Sequence, residues 1–332
     1  MKLTGAGIKI ISSGSATPTT IVTNDELSRI VDTSDEWIST RTGIRQRRIA
    51  SAEESLAHLA ALAGEKALEM AGLAATDIDM IILATSTADD LFGSAAQVQG
   101  KIGASRAIAF DLTAACSGFI FGLITAAQYI NTGMYQNILL IGADILSRWV
   151  DWSDRSTCVL FGDGAGAVVC QATTDSSGLL GFEMCSNGGQ NHCLNVAYAG
   201  KSEILLAEKN VSKGTYQPIT MNGREVYRFA VAKVPEVIEK AMYRANISIE
   251  DIDWLLLHQA NQRIIDAVAK RLSIPPAKVI SNLANYGNTS AASIPLALDE
   301  AVRVGKLQAG DIIAASGFGA GLSWGGAIFR WQ

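Results

Sequence analysis

The sequence predicts an α/β protein with buried, largely parallel strands, organised as two similar halves. Short apolar runs alternate with segments whose apolar residues recur three and four apart, the pattern of strands and amphipathic helices in turn. Hydrophobic residues make up 48% of the 332 positions and charged residues 18%, enough to fill a large core. The sequence also repeats itself. EKALEMAGLAATDIDMIIL at Glu65–Leu83 returns as EKAMYRANISIEDIDWLLL at Glu239–Leu257, an offset of 174 residues. An offset of nearly half the chain points to duplication, with halves expected at residues 1–175 and 176–332.

The strands follow in chain order. MIILATS, AIAFDL, ILLIGAD, AGAVVCQA, WLLLH, DIIAASGF and AIFRW are near-continuous apolar runs, as expected where both faces of a sheet are covered. Helices fit SLAHLAALAGEKALEMAG, SGFIFGLITAAQYINTG and REVYRFAVAKVPEVIEKAMYRA, and another should begin near Ser293-Ile294-Pro295.

Composition removes several function classes. A net charge of −5 argues against a nucleic-acid binder held by general positive charge. No run reaches the roughly 18 apolar residues of a membrane span. The opening MKLTGAGIKIISSGSATP lacks the apolar core of a secretory signal, so a reducing, cytoplasmic setting is expected. The five cysteines (Cys116, Cys158, Cys170, Cys185, Cys193) are odd in number and form no CxxC pair, so neither disulfides nor zinc are expected.

Three residues stand out as chemistry. Cys116 in AACSGF follows a strand and opens a helix, where free amides and the helix dipole favour a thiolate. A buried structural cysteine is the plainer alternative. The chain has only three histidines: His58 lies in an alanine-leucine helix, His192 in a loop, and His258 at the end of the strand WLLLH. A strand end is where α/β proteins present working groups, although a satisfied core imidazole would look the same. Asn288, in NLANYGNTSAASIP, sits in a tight turn before a helix and could be no more than a turn residue.

Two glycine-rich stretches and a basic cluster complete the survey. Gly162, Gly164 and Ala167 fit G-x-G-x-x-A, but the strand-like AVVCQA that follows supplies no helix N-terminus for a pyrophosphate, so nucleotide binding is not expected. Ser316–Gly321 reads as a loop whose amides could form an oxyanion hole. Arg41, Arg45, Arg47 and Arg48, with Trp37 upstream, suit a phosphorylated small molecule with an aromatic shelf, or simply a solvated face.

Taken together, SDEWISTRTGIRQRR, AACSGF, DRSTCVLFGDGAGAVV, MNGREVYRFAV, LLLHQANQRII and NYGNTSAASIPLAL resemble, in order and over nearly the whole chain, the β-ketoacyl-acyl-carrier-protein synthase III family. The C-terminal wording leans towards its cyanobacterial and plastid type. The resemblance implies a thiolase-like fold, two pseudo-symmetric halves in five α-β-α-β-α layers, and a homodimer. It makes Cys116 the acylated nucleophile, with His258 and Asn288 completing the triad and the amides of Cys116 and Ala320 forming the oxyanion hole. Trp37, Arg41 and Arg155 would hold the adenine and phosphates of coenzyme A, and Gly223 and Asn261 the pantetheine. Arg228, Arg263 and Lys270 would receive the acidic acyl carrier protein, and Phe92 would reach across the dimer to the partner's acyl pocket. No cofactor or metal is implied beyond the coenzyme A thioester substrate. Two departures are visible: alanine at 320 within a usual run of glycines, and an atypical segment Asn187–Gly214 that leaves the acyl pocket open.

The implied reaction is a decarboxylating Claisen condensation of acetyl-CoA with malonyl-acyl carrier protein. Sister enzymes separate by residue count. A degradative thiolase needs a late second cysteine, and no cysteine follows Cys193. Elongating synthases use two histidines where this chain has His258 and Asn288. Chalcone-synthase-like chains are typically longer, and hydroxymethylglutaryl-CoA synthase needs a glutamate near its cysteine. The alternatives left are a relative with another acyl-CoA primer in a specialised pathway, or a non-catalytic carrier-binding relative.

Overall fold

The computed structural model describes residues 7–174 and 178–332, built around a pair of five-stranded sheets. Across the first, the strands lie in the order Ile108–Leu112, Met80–Ala84, Asn137–Ile145, Asp163–Thr173, Gly7–Ala16. Across the second they lie Val279–Ile280, Trp254–Leu257, Ile312–Gly319, Ser323–Arg330, Leu179–Ser186. Neighbour by neighbour, both sheets pair parallel, parallel, antiparallel, antiparallel. The boundary expected between residues 175 and 176 lies outside the described residues.

The expectation of largely parallel strands is corrected here, since half of these pairings are antiparallel. A strand covered on both faces is an unbroken apolar run whichever way it points, so the run reports burial and not direction. Three outer strands were not predicted, the two-residue Val279–Ile280 among them. Gly7–Ala16 is rich in serine and glycine, yet Ser12 and Ser13 are fully buried; Leu179–Ser186 is half exposed along its second half.

The repeat has a structural meaning. Asp77 and Asp251 each accept the backbone amide three residues earlier, from Ala74 at 2.9 Å and Ser248 at 2.8 Å. Ile78 and Ile252 are both fully buried. Asp79 and Asp253 then accept amides from the neighbouring strand, at Asn137 and Ile312. Each unit therefore turns a helix into the second strand of its sheet by the same hydrogen bonds.

Helices complete five layers. Leu56–Ala71 covers the outer face of the first sheet, and Gly223–Ala245 that of the second. Gly118–Asn131 and Ser293–Arg303 lie between the sheets and touch both, each buried nearly all round as a central helix must be. Alternate residues divide accordingly: Ile81 and Leu83 face the outer helix, while Met80 and Ile82 face the central layer. The Gly223–Ala245 helix runs straight through Pro235, which cannot donate to the carbonyl of Val231. Arg271 donates to that oxygen at 3.3 Å and to Ala232 at 3.4 Å instead.

Candidate active site

The turn that carries Cys116 is built by backbone geometry. After the strand Ile108–Leu112, Ala115 adopts φ 47°, a left-handed conformation unusual for alanine, and a single 3-10 turn over Ala115–Ser117 leads into the central helix. This elbow holds Cys116 at the floor of a cleft of about 530 Å³, with His258, Asn288 and Gly319 in the same lining. The elbow has a twin. Ser290 adopts φ 51° and opens a 3-10 turn over Ser290–Ala292, which leads into the other central helix. The twin carries no thiol. Its Ser290 side chain instead stands against the Cys116 thiol and the buried Asp144 carboxylate.

Burial pushes the Cys116 thiol up to about 12, against hydrogen bonds from Ser290 and its own amide. Burial thus works against the thiolate that the free amides and dipole of the helix start would favour. Asp144 is held by Ser86 N at 2.8 Å, the Thr85 and Thr87 hydroxyls, and Ala291 N at 3.1 Å. Burial raises its carboxyl as well.

His258 follows the strand Trp254–Leu257, and its amide donates to Ser316 O at 2.8 Å. Nδ1 is engaged by the Ser293 hydroxyl at 2.7 Å, and the ring stands edge-on to Phe318 with centroids 5.2 Å apart. Nε2 is left for the cleft. Burial pulls this imidazole down to about 3, so it is neutral at working pH. Asn288 is pinned through its backbone to Leu160 and Gly162, and its Oδ1 accepts Ser290 N at 2.9 Å. With the oxygen occupied, the side-chain NH₂ is the group available to a ligand.

Gly319 is needed for space. A Cβ there would sit 2.8 Å from Cys116 N and 3.2 Å from its sulfur, filling the volume in front of the Cys116 amide. The glycines of Phe161–Val169 also serve close approach: a Cβ on Gly162 would lie 2.2 Å from Tyr286 O, and the segment Asp163–Thr173 is a strand. Ala320 follows Gly319 at the strand end, half-buried.

The basic cluster disperses. Only Arg41 reaches the cleft. Arg47 is fully buried and donates to Val22 O, Asn24 Oδ1 and Val159 O; Arg45 pairs with Asp35; Arg48 lies over the Tyr286 ring. Arg45 and Arg47 are thereby corrected as phosphate ligands: Arg45, just before the strand Gln46–Ile49, is paired with Asp35, and Arg47 within it points inward and spends its donors on protein oxygens. Trp37 has the Arg41 and Arg155 guanidinium groups over its ring, 4.6 and 4.8 Å from the centroid. Arg155 also donates to Asp32 O.

Gly223, Asn261 and Arg263 join Arg41 in the cleft lining. Asn261 donates to Arg41 O at 3.1 Å and Arg263 to Thr40 O at 2.9 Å, so Arg263 stands beside Arg41 and not on a remote face. Arg228 and Lys270 are exposed outside the lining, as is Phe92 at 97% exposure. Residues missed from sequence are Ser293, Ser290, Asp144 and the cleft-lining Arg224, whereas Gly319 lies within the expected Ser316–Gly321 stretch. Only the second elbow, a serine-alanine turn ahead of a helix, carried a signal.

The relationships of the chain are equally definite. A family model described as 3-oxoacyl-[acyl-carrier-protein (ACP)] synthase III matches residues 110–188, and its C-terminal counterpart matches 242–331. The β-ketoacyl-[acyl-carrier-protein] synthase III of Microcystis aeruginosa is 69% identical over 327 residues, covering 98% of each chain. The chain belongs to the β-ketoacyl-[acyl-carrier-protein] synthase III family. The family member from Trichormus variabilis is 68% identical, again over 98% of each chain, in keeping with the lean towards the cyanobacterial type. The crystal structure of 3-oxoacyl-[acyl-carrier-protein] synthase III from Aquifex aeolicus superposes with a TM-score of 0.90 at 44% identity, over 98% of this chain and 100% of that one. As a synthase III, the protein has the thiolase-like fold and is a condensing acyltransferase. No helix among the described residues is long and apolar enough to cross a membrane.

Proposed function

We propose that the chain initiates fatty-acid synthesis by condensing acetyl-CoA with malonyl-acyl carrier protein, giving acetoacetyl-acyl carrier protein, CoA and CO2. One observation supports it above others: in a single cleft the nucleophile's amide is uncovered by Gly319, while the inner atoms of His258 and Asn288 are tied back. That leaves a thiol, an imidazole nitrogen and an amide NH₂ for substrate.

Cys116 attacks the acetyl thioester, losing its proton as the CoA thiolate leaves and gains one. The amides of Cys116 and Ala320 stabilise the tetrahedral oxyanion. Malonyl-acyl carrier protein then enters and loses CO2, and its enolate oxygen takes hydrogen bonds from His258 Nε2 and the Asn288 amide. The enolate carbon attacks the acetyl carbonyl and the Cys116 sulfur departs. The protein's own groups suffice, with no cofactor or metal in the reaction.

Trp37, Arg41 and Arg155 hold the nucleotide end of coenzyme A, and Gly223 and Asn261 flank the pantetheine. Arg228, Arg263 and Lys270 receive the carrier protein. The division of the chain at 175/176 gives a first half with the nucleophile and a second with His258 and Asn288. The working form is a cytoplasmic homodimer in which Phe92 reaches the partner's pocket. Its exposure, and the open edge of the strand Ile108–Leu112 with Ile108 half exposed, favour such a partner.

Intact-mass analysis after acetyl-CoA alone should show one acetyl group per chain, absent in Cys116→Ala. His258→Ala and Asn288→Ala should still accept acetyl yet release no CO2 from malonyl-acyl carrier protein. Normal decarboxylation in both variants would overturn the triad.

A further inference from the structure

The structure assigns a divalent-cation site, of the kind zinc or cobalt(II) fills, to His192, Cys193 and Glu225, outside the catalytic triad. The three offer one ligand atom each, all within 4.8 Å of one another. The chemistry is mixed nitrogen, sulfur and oxygen, a set that suits borderline-soft ions and suits magnesium or calcium poorly. Cys193 Sγ lies 3.6 Å from His192 Nε2, and His192 Nε2 lies 3.7 Å from Glu225 Oε2. Bond lengths of about 2.3 Å to sulfur and about 2.0–2.1 Å to nitrogen and oxygen, at tetrahedral angles, separate such ligands by roughly 3.3–3.6 Å. Two of the three edges are thus close to what an ion requires.

The third edge is short for a simple reason. Cys193 donates its S–H to Glu225 Oε2 at 2.9 Å. An ion replaces that proton, which is released to solvent, and the sulfur–oxygen edge opens by about 0.7 Å as both atoms turn to the metal. Little else need move. Cys193 is buried, its carbonyl accepts Asn222 N at 2.8 Å, and Asn222 Oδ1 caps Glu225 N at 3.3 Å. The sulfur and the carboxylate are therefore held on the two sides of one cap. His192 is the solvent-side ligand, with 72% of its side chain exposed, and it leaves a fourth position open to water.

The position gives the ion a consequence. Leu194 beside Cys193, and Gly223 and Arg224 just before Glu225, line the cleft above Cys116. An ion would fasten the Gly188–Cys193 turn to the start of the Gly223–Ala245 helix and stiffen that wall. No Cys-x-x-Cys spacing announces the site, because two ligands are adjacent and the third comes from another element.

The test is cobalt(II) titration of the chelator-treated full chain in a Cys116→Ala background, which removes the catalytic thiol. One cobalt(II) per chain should bind, with a near-ultraviolet thiolate-to-cobalt charge-transfer band and intense four-coordinate d–d bands, both erased by one equivalent of zinc. Cys193→Ser should abolish the charge-transfer band. His192→Ala, a change at an exposed side chain that leaves the fold intact, and Glu225→Gln should each weaken binding at least about 100-fold, no less than loss of an outer-shell partner does. Cys185→Ser should change nothing. Absence of the band in the parent chain, its persistence in Cys193→Ser, or unchanged affinity in His192→Ala would overturn the assignment.

Discussion

The Ser293 hydroxyl oxygen lies 2.7 Å from His258 Nδ1 and accepts the Gln259 amide at 3.3 Å. One rotatable O–H can donate to Nδ1, leaving Nε2–H as a donor, or accept from Nδ1–H, leaving Nε2 as an acceptor. Ser293 thus lets a neutral imidazole present either a donor or an acceptor to the cleft without becoming charged. Ser293→Ala leaves a buried nitrogen unpaired, at a cost of about 1–3 kcal/mol. CO2 release from malonyl-acyl carrier protein should fall about 10–100-fold in kcat with KM little changed, and Ser293→Thr should recover most of it. Wild-type kcat in Ser293→Ala would remove the positioning role.

Gly319→Ala should block the first step. The new methyl would stand 2.8 Å from Cys116 N, where the acyl oxygen must sit. Acetyl incorporation, followed by intact mass, should slow by about 10²–10³, the usual effect of losing one oxyanion donor. Cys116 should still react with a small alkylating agent at high pH, which separates a blocked oxyanion site from an unfolded chain.

Stability should fall in mild acid because of His258. Its folded value, about 3, lies below the ordinary 6.5, so between those values the unfolded chain binds more protons. The stabilisation from the neutral imidazole is complete above pH 6.5 and drains away as the pH drops towards 3. Between pH 7 and 5 the loss amounts to about 2 kcal/mol. Urea midpoints at the two pH values should show that difference, and His258→Gln should lack it.

The basic residues should sort by distance from the cleft. Arg228→Glu and Lys270→Glu change exposed charges outside the lining, so carrier-dependent turnover should drop while acetylation of Cys116 stays near normal. Arg263 shares the cleft with Arg41 and bonds the adjoining Thr40 carbonyl. Arg263→Glu should therefore impair both half-reactions, and Arg41→Glu chiefly acetylation. The carrier effects should shrink with added salt, as the Debye length falls below about 10 Å. Half-reaction assays at two ionic strengths give the answer, and a carrier-only defect in Arg263→Glu would contradict the shared mouth.

Much of this molecule was legible in its sequence. Helices followed from apolar spacing, as in the segment from Ser55, whose side chain proves to cap it by accepting His58 N, and the repeat located Asp79 and Asp253 at matching joints. Cys116, His258 and Asn288 were each ambiguous alone, and the structure brings all three into the lining of one cleft. Strand direction was not legible, since Ile328 and Leu256 are equally buried in antiparallel and parallel company. Nor was the fate of Arg47, whose guanidinium replaces water with three backbone and side-chain oxygens from segments distant in sequence. Proximity in the chain misled there, and only packing could correct it.

The twin elbows meet in the middle of the molecule, where a Cβ on Gly118 would stand 3.4 Å from that of Ala291. In an ancestor made of two identical copies, each copy would have supplied every working group, and the two turns would have carried the same residue. Here the copies have specialised: Cys116 has no sulfur counterpart at Ala291, and the strand position matching His258 is Ala84, a small residue packed under Gly118. One turn carries a thiol while the other stands against it. With Cys116 in the role proposed for it, each chain would load a single acyl group, with no second thiol across the junction to compete for it or to oxidise with it.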